Sequence, residues 1–377
     1  MRVGITAYAC KSGTGSEPGA GFEWAAAASA HSEITLFTRP LDAVTRSGLA
    51  TLGISVFELP VEHNSRTPQV SYIRWLRQAN QVLRREHARV PFNVTHHVTY
   101  ATDWLPSPYV PGVPLVLGPV GGRTTTPTDL KKLYPRSLLL RDTLRSLLTT
   151  PPRAYTKAWA KGRVTILLAQ NSDTAKVFHS LPDVRVRSNC VVDPPALKGQ
   201  ATRNEKTAVF AGRLISLKGV HLAIQALAMP RLQDWRLVIL GDGPERLRLE
   251  SLADGLGVGQ RTIFKGTVSR TEAIQTLSTA TCSVLLSAHD AAGWSAAESL
   301  TVGTPVVTWD HGGPAELLRL AGVDVSISTV APTLSLIAEA IATAEPPVRA
   351  NFFQFSRQHL QDQTAGWYRD AVRNGIA

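Results

Sequence analysis

Residues 285 to 314 read LLSAHDAAGWSAAESLTVGTPVVTWDHGGP, and the punctuation of this stretch decides the fold. An apolar run ends near Leu286, a polar turn carries Asp290 and Gly293, and a helical segment places Glu298 eight positions after Asp290. A second apolar run, Pro305–Trp309, follows and closes on Gly312 and Gly313. Strand, turn, helix and strand in that order form an α/β unit, and open sheets of such units take ligands beyond the carboxyl ends of their strands. Two acids at that edge suit the hydroxyl groups of a nucleotide sugar.

The same alternation extends outward in both directions. Apolar runs predict strands near 2–8, 33–38, 54–58, 92–98, 114–118 and 165–170, with a helix over Val70–Glu86 among the connections. The pattern restarts at Thr207–Ala211 and continues through Arg236–Leu240, Thr262–Phe264 and Thr281–Leu286. Asp193–Glu205, rich in proline and polar residues, reads as a linker. The expected architecture is α/β: two Rossmann-like, doubly wound parallel-sheet domains, residues 1–195 and 196–355, facing across a cleft. A final helix over 356–377 is expected to pack back toward the first domain, with Trp367 and Tyr368 as its packing residues.

Size and composition narrow the classes. The chain has 377 residues, 44% of them hydrophobic, enough for two cores. No apolar run reaches the ~18–20 residues of a spanning helix. The opening MRVGITAYAC alternates like a strand and reads as core rather than signal peptide. Cys10, Cys190 and Cys282 are scattered, which argues against a zinc knuckle or disulfide framework and for a reduced, cytoplasmic setting.

The net charge of +11 is uneven. From Lys131 to Arg163 nine basic residues face one acid, Asp142, while Leu140, Leu144, Leu147 and Leu148 recur at helical spacing. Such a helix can lie on an anionic membrane surface, here as a peripheral contact on the inner face. The competing and favoured expectation is a solvated basic face over a buried leucine seam. Nucleic acid is not an expected partner, because no aromatic-interleaved basic patch accompanies the charge.

Several segments carry chemistry. In AVFAGRLISLKGV a strand ends at Ala211, and Arg213 and Lys218 follow at the edge where two cations suit a diphosphate. GDGPE, residues 241–245, is mainly turn chemistry. IFKGTV places Gly266 and Val268 after another strand, within reach of a nucleobase edge. Glu298 suits both hydroxyls of a ribose and Asp290 those of a transferred sugar, with backbone donors around Gly293, Trp294 and Ser295 for a phosphate.

In the first half, CKSGTGSEPGAG sets Gly15, Gly19 and Gly21 in a loop before an Ala-rich helix. It looks like a phosphate cradle but has neither P-loop nor dinucleotide spacing, which argues against an oxidoreductase. His96 and His97 in VTHHVTY are adjacent on a strand and so point to opposite faces. Either one facing a cleft is a catalytic candidate; a hydrogen-bonded core histidine is the competing reading.

Together GRLISLKG, GDGPE, the acid-x7-acid segment and GTPVVTWDHGGPAE resemble the retaining GT-B glycosyltransferases of family four. GSEPGAG, HHVTY and LGPVGGR are similar to a bacterial subset acting in polysaccharide or glycolipid assembly. The resemblance spans most of the chain. It implies a retaining hexosyltransferase moving a sugar from a nucleoside-diphosphate donor to a hydroxyl of a saccharide, glycolipid or small-molecule acceptor. It implies Arg213 and Lys218 on the donor diphosphate and Glu298 on the ribose.

The family usually has Glu where Asp290 stands, and its cleft histidine lies on the strand that here reads LVLGPVGG, leaving His96 or His97 as replacements. No Asp-x-Asp occurs, which suits a metal-independent reaction with the donor as substrate and no cofactor. A catalytically inactive nucleotide-sugar-binding or scaffold homologue is the alternative, and the presence of Arg213, Lys218 and Glu298 argues against it.

Overall fold

The computed structural model describes residues 1–61, 68–122, 124–193, 206–325, 327–346 and 351–375. The apolar runs of the first half assemble into a parallel sheet of seven strands: β1 Arg2–Ala7, β2 Glu33–Thr38, β3 Ser55–Glu58, β4 Val94–Thr99, β5 Leu115–Val120, β6 Ile166–Ala169 and β7 Val184–Val186. Their spatial order is β3-β2-β1-β4-β5-β6-β7. The second half gives a five-stranded parallel sheet of β8 Thr207–Ala211, β9 Arg236–Leu240, β10 Thr262–Gly266, β11 Cys282–Leu285 and β12 Val306–Thr308, in the order β10-β9-β8-β11-β12. Chain order reverses direction at β1/β4 in one sheet and at β8/β11 in the other. Those switch points, at the carboxyl ends of the strands, are where such sheets hold ligands.

Strand β7 was not expected from sequence. Its three residues, Val-Arg-Val, offer no apolar run, and its pairing with β6 through Leu167–Val184 and Ala169–Val186 makes it a strand. The linker expected at Asp193–Glu205 lies, apart from Asp193, outside the described residues.

The chain divides into two compact units, Met1–Arg123 with Leu148–Val191 and Phe355–Ala377, and Thr124–Leu147 with Val192–Gln354. Residues 124–147 thus group with the second unit, where the sequence reading had one unbroken N-terminal domain to residue 195. Side-chain contacts explain the difference. Tyr134 donates to the Leu286 carbonyl at 2.6 Å and accepts from Trp309 Nε1 at 3.0 Å, and Leu130, Tyr134 and Leu138 are buried with Phe210, Ile239 and Trp309.

In the first unit the helix Ser16–Ser29 is covered by the final helix, Arg357–Gly375: Trp24 stacks on Trp367 with ring centroids 5.8 Å apart. Among the described residues no helix is long and apolar enough to cross a membrane.

Candidate functional site

Four segments of the second unit bring their polar residues to the carboxyl edge of its sheet. After β8 the chain passes Arg213, which is exposed, and turns through Ser216–Lys218. Lys218 Nζ then meets Asp290 Oδ2 at 2.5 Å, the acid coming from the loop after β11. Both side chains keep access to solvent, at 27% and 20%.

Burial works to raise the Asp290 carboxyl, but Lys218 and the backbone N–H groups of Ala292 and Gly293 outweigh it, so the group sits below its ordinary value and is ionised. Gly293 holds a left-handed φ of 79°, and a Cβ there would meet the Pro314 backbone at 2.9 Å. Glycine is therefore required for the turn that starts the helix Trp294–Thr301.

Glu298 projects from that helix and is buried; its Oε1 accepts from Arg270 Nε at 2.9 Å. Arg270 is positioned by the Ser269 cap, whose hydroxyl accepts from Glu272 N at the start of the helix Arg270–Thr279. Burial raises the Glu298 carboxyl above its ordinary value, and Arg270 only partly offsets this. Arg270 also lies 5.9 Å from the centroid of the Trp294 ring. The pairing was not foreseen, because the two residues are 28 positions apart and nothing in their local pattern links them.

The other donor-side candidates divide. Ser295 Oγ donates to the Ala211 carbonyl at 2.8 Å, so it fastens the helix Trp294–Thr301 to the end of β8. The Gly266 carbonyl accepts from Gly241 N at 2.7 Å, closing the edge of the sheet beside β9. Val268 packs against Val209, Val238 and Leu277. These three residues shape the edge from below; Arg213, Lys218, Asp290 and Glu298 carry its charge. Among the described residues no three His, Cys, Asp or Glu side chains gather as metal ligands.

The remaining candidates belong to the first unit. A Cβ on Gly19 or Gly21 would meet the loop's own backbone, Thr14 O at 1.9 Å and Ala9 O at 2.0 Å. The spacing of these glycines therefore serves loop packing, whereas Gly15 simply caps the following helix in an extended conformation. The first turn of that helix aims a carboxylate at the strand ends: Glu17 accepts from Tyr100 N at 3.1 Å, Asn189 Nδ2 at 3.1 Å and Gln170 Nε2 at 3.5 Å. Burial raises the Glu17 carboxyl above its ordinary value, so the glycines expected to form a phosphate cradle lie beside a buried acid. Sequence reading passed over Glu17 because its three partners come from distant segments.

His96 and His97 do point to opposite faces, and both are 1% exposed. His96 Nε2 lies 2.8 Å from the Gly118 carbonyl and Nδ1 2.8 Å from Tyr368 Oη. A carbonyl only accepts, so Nε2 carries the proton and Nδ1 accepts from Tyr368. His97 is bonded to Thr6 Oγ1 at 2.8 Å and Tyr72 Oη at 2.9 Å. Burial pushes the two rings down to about 4 and about 3, so both are neutral core histidines with every ring nitrogen engaged. Neither faces an opening, and the catalytic expectation for them is corrected.

Residues 197–344 match the sequence family described as glycosyl transferases group 1. Over 142 residues, 36% of this chain, the protein is 39% identical to the lipopolysaccharide core biosynthesis glycosyltransferase LpsE of Rhizobium meliloti, covering 41% of that protein. The chain thus spans well under half the length of the curated relatives it matches first. Two solved structures superpose along nearly the whole chain. WaaG, a glycosyltransferase involved in lipopolysaccharide biosynthesis, matches with a TM-score of 0.59 at 15% identity, covering 100% of this chain and 95% of its own. Anabaena Alr3699/HepE in complex with UDP and glucose matches with a TM-score of 0.55 at 15% identity, covering 98% and 97%. At that identity the likeness establishes the fold, which is GT-B.

Proposed function

We propose, on the premise that residues 197–344 belong to the group 1 glycosyl transferases, that the chain moves a sugar from a nucleoside diphosphate to a hydroxyl of a saccharide, glycolipid or small-molecule acceptor. The reaction retains the anomeric configuration and needs no metal. The observation that carries this reading is the cluster at the edge of the second sheet, Lys218 paired with Asp290 and Arg213 exposed beside the same strand end.

Breaking the glycosidic bond to a diphosphate leaves negative charge on the departing phosphate oxygen. Two cations placed there neutralise it in the role a divalent ion would otherwise fill. Lys218 has three N–H donors, so it can hold Asp290 and a phosphate oxygen together. Asp290, kept ionised, accepts from hydroxyls of the sugar. The departing phosphate takes the proton of the attacking acceptor hydroxyl on the same face, so no enzyme nucleophile is needed and the work of the protein is positioning and charge. The bound UDP and glucose of the HepE structure support this donor class. Nucleoside diphosphates that bind only the folded state should raise the melting temperature. A screen in which none does, with or without its sugar, would contradict the reading.

Glu298 takes the ribose. Arg270 occupies Oε1, leaving Oε2 for the nucleoside hydroxyls. Glu298→Gln should raise the donor KM about 10- to 100-fold, the worth of hydrogen bonds to a charged acceptor. Because the folded carboxyl is raised, its contribution to stability is fully present below the ordinary value of 4.5 and is lost as pH rises through the folded value. At neutral pH the ionised side chain therefore costs stability, and Glu298→Gln should melt no lower than the parent while binding donor more weakly. The parent's donor affinity should also fall as the pH drops through that raised value, measured by titration calorimetry. Unchanged donor affinity in the variant removes the ribose role.

A further inference from the structure

The leucines between residues 138 and 150 do not form the buried seam that sequence periodicity favoured. On the helix Arg136–Ala160, Leu140, Leu144, Leu147 and Leu148 are 71%, 54%, 67% and 67% exposed, and Tyr155 is 62% exposed. At roughly 100° per residue these five side chains share one face about 100° wide. Arg141 and Arg145 border it on one side, Arg136 and Lys157 on the other.

The helix is not loose. Leu138 in its first turn and Trp159 in its last are buried, and its one acid, Asp142, is turned inward to His289, 2.9 Å from Nε2. The outward face is thus a contiguous apolar stripe rimmed by positive charge alone, and exposed patches of that kind mark interaction sites.

We propose that this face docks on an anionic lipid surface, with the leucines and Tyr155 at the acyl–headgroup boundary and the flanking cations on lipid phosphates. Charge selects this occupant. A second copy of the chain packed on the same stripe would bring two cation-rimmed faces together with no acid on either rim. A nucleic acid would use the cations and leave four leucines in water. An acidic membrane satisfies both parts at once, as interfacial amphipathic helices do.

Co-sedimentation tests this on the full chain. Vesicles of equal parts phosphatidylcholine and phosphatidylglycerol should pellet the protein, vesicles of phosphatidylcholine alone should not, and added salt should release it. Arg136→Gln combined with Arg141→Gln should weaken binding about 25-fold, at about fivefold per charge removed. Leu144→Gln combined with Leu147→Gln should weaken it at least about tenfold, from the apolar area withdrawn. All four side chains are exposed, so the melting temperature should hold in both variants. Failure of the parent to pellet with anionic vesicles, or variants that pellet as the parent does, would overturn the proposal. A dimer seen by light scattering and abolished by the leucine substitutions would assign the face to a second copy instead.

Discussion

Arg213→Ala and Lys218→Ala should each lower kcat/KM for sugar transfer by about 10²–10³-fold, the cost of removing one group aimed at charge that develops in the transition state. The two variants differ in what else they disturb, and that difference makes the test sharp. Arg213 is exposed, so its loss should leave the melting temperature alone and remove activity only. Lys218 is the counter-charge that keeps the burial-penalised Asp290 carboxyl ionised. Its removal leaves that acid without its cation, so Lys218→Ala should also destabilise the fold and move Asp290 toward protonation. Steady-state kinetics beside thermal melts separate the two effects. Parent-like turnover in both variants would refute a donor-diphosphate role for this edge.

Why these residues could be read from sequence, and others not, follows from how local each constraint is. Thr207–Ala211 and Arg236–Leu240 stand in the structure with the bounds read from their apolar runs, because a strand buried in a parallel sheet must be apolar along its length. Arg213, Lys218 and Asp290 follow strand ends within seven residues, and Glu298 lies on the helix that starts just after, so their placement at the sheet edge comes with the strands. Glu17 and Arg270 were missed because what defines each is a partner far away in sequence.

The histidines failed for a different reason. Alternation along a strand puts His96 and His97 on opposite faces, but both faces of β4 are covered, so opposite faces here mean two cores. The stripe at Leu140–Leu148 shows the same limit. Periodicity says that the leucines share a face, and only the fold says that nothing among the described residues covers it.

Trp367→Ala should cost about 3–5 kcal/mol of stability, the range for truncating a large buried aromatic. The final helix is held to the first unit by one side of its surface. Trp367 is 5% exposed and stacks on Trp24, Tyr368 is 1% exposed, and Arg357 pairs with Glu23 at 2.7 Å. Truncating Trp367 empties the largest of these contacts and uncovers Trp24, whose indole N–H reaches the Asn189 carbonyl at 3.2 Å. For a unit of this size, a loss on that scale should lower its melting temperature by about 10 °C.

Tyr368→Phe provides the graded comparison. It keeps the ring but deprives the buried His96 Nδ1 of its donor, which should cost about 1–3 kcal/mol. The order of the two variants, measured by chemical denaturation, tests the packing directly: Trp367→Ala lower than Tyr368→Phe, both below the parent. A Trp367→Ala protein as stable as the parent would mean that the helix Arg357–Gly375 adds nothing to the core of the first unit.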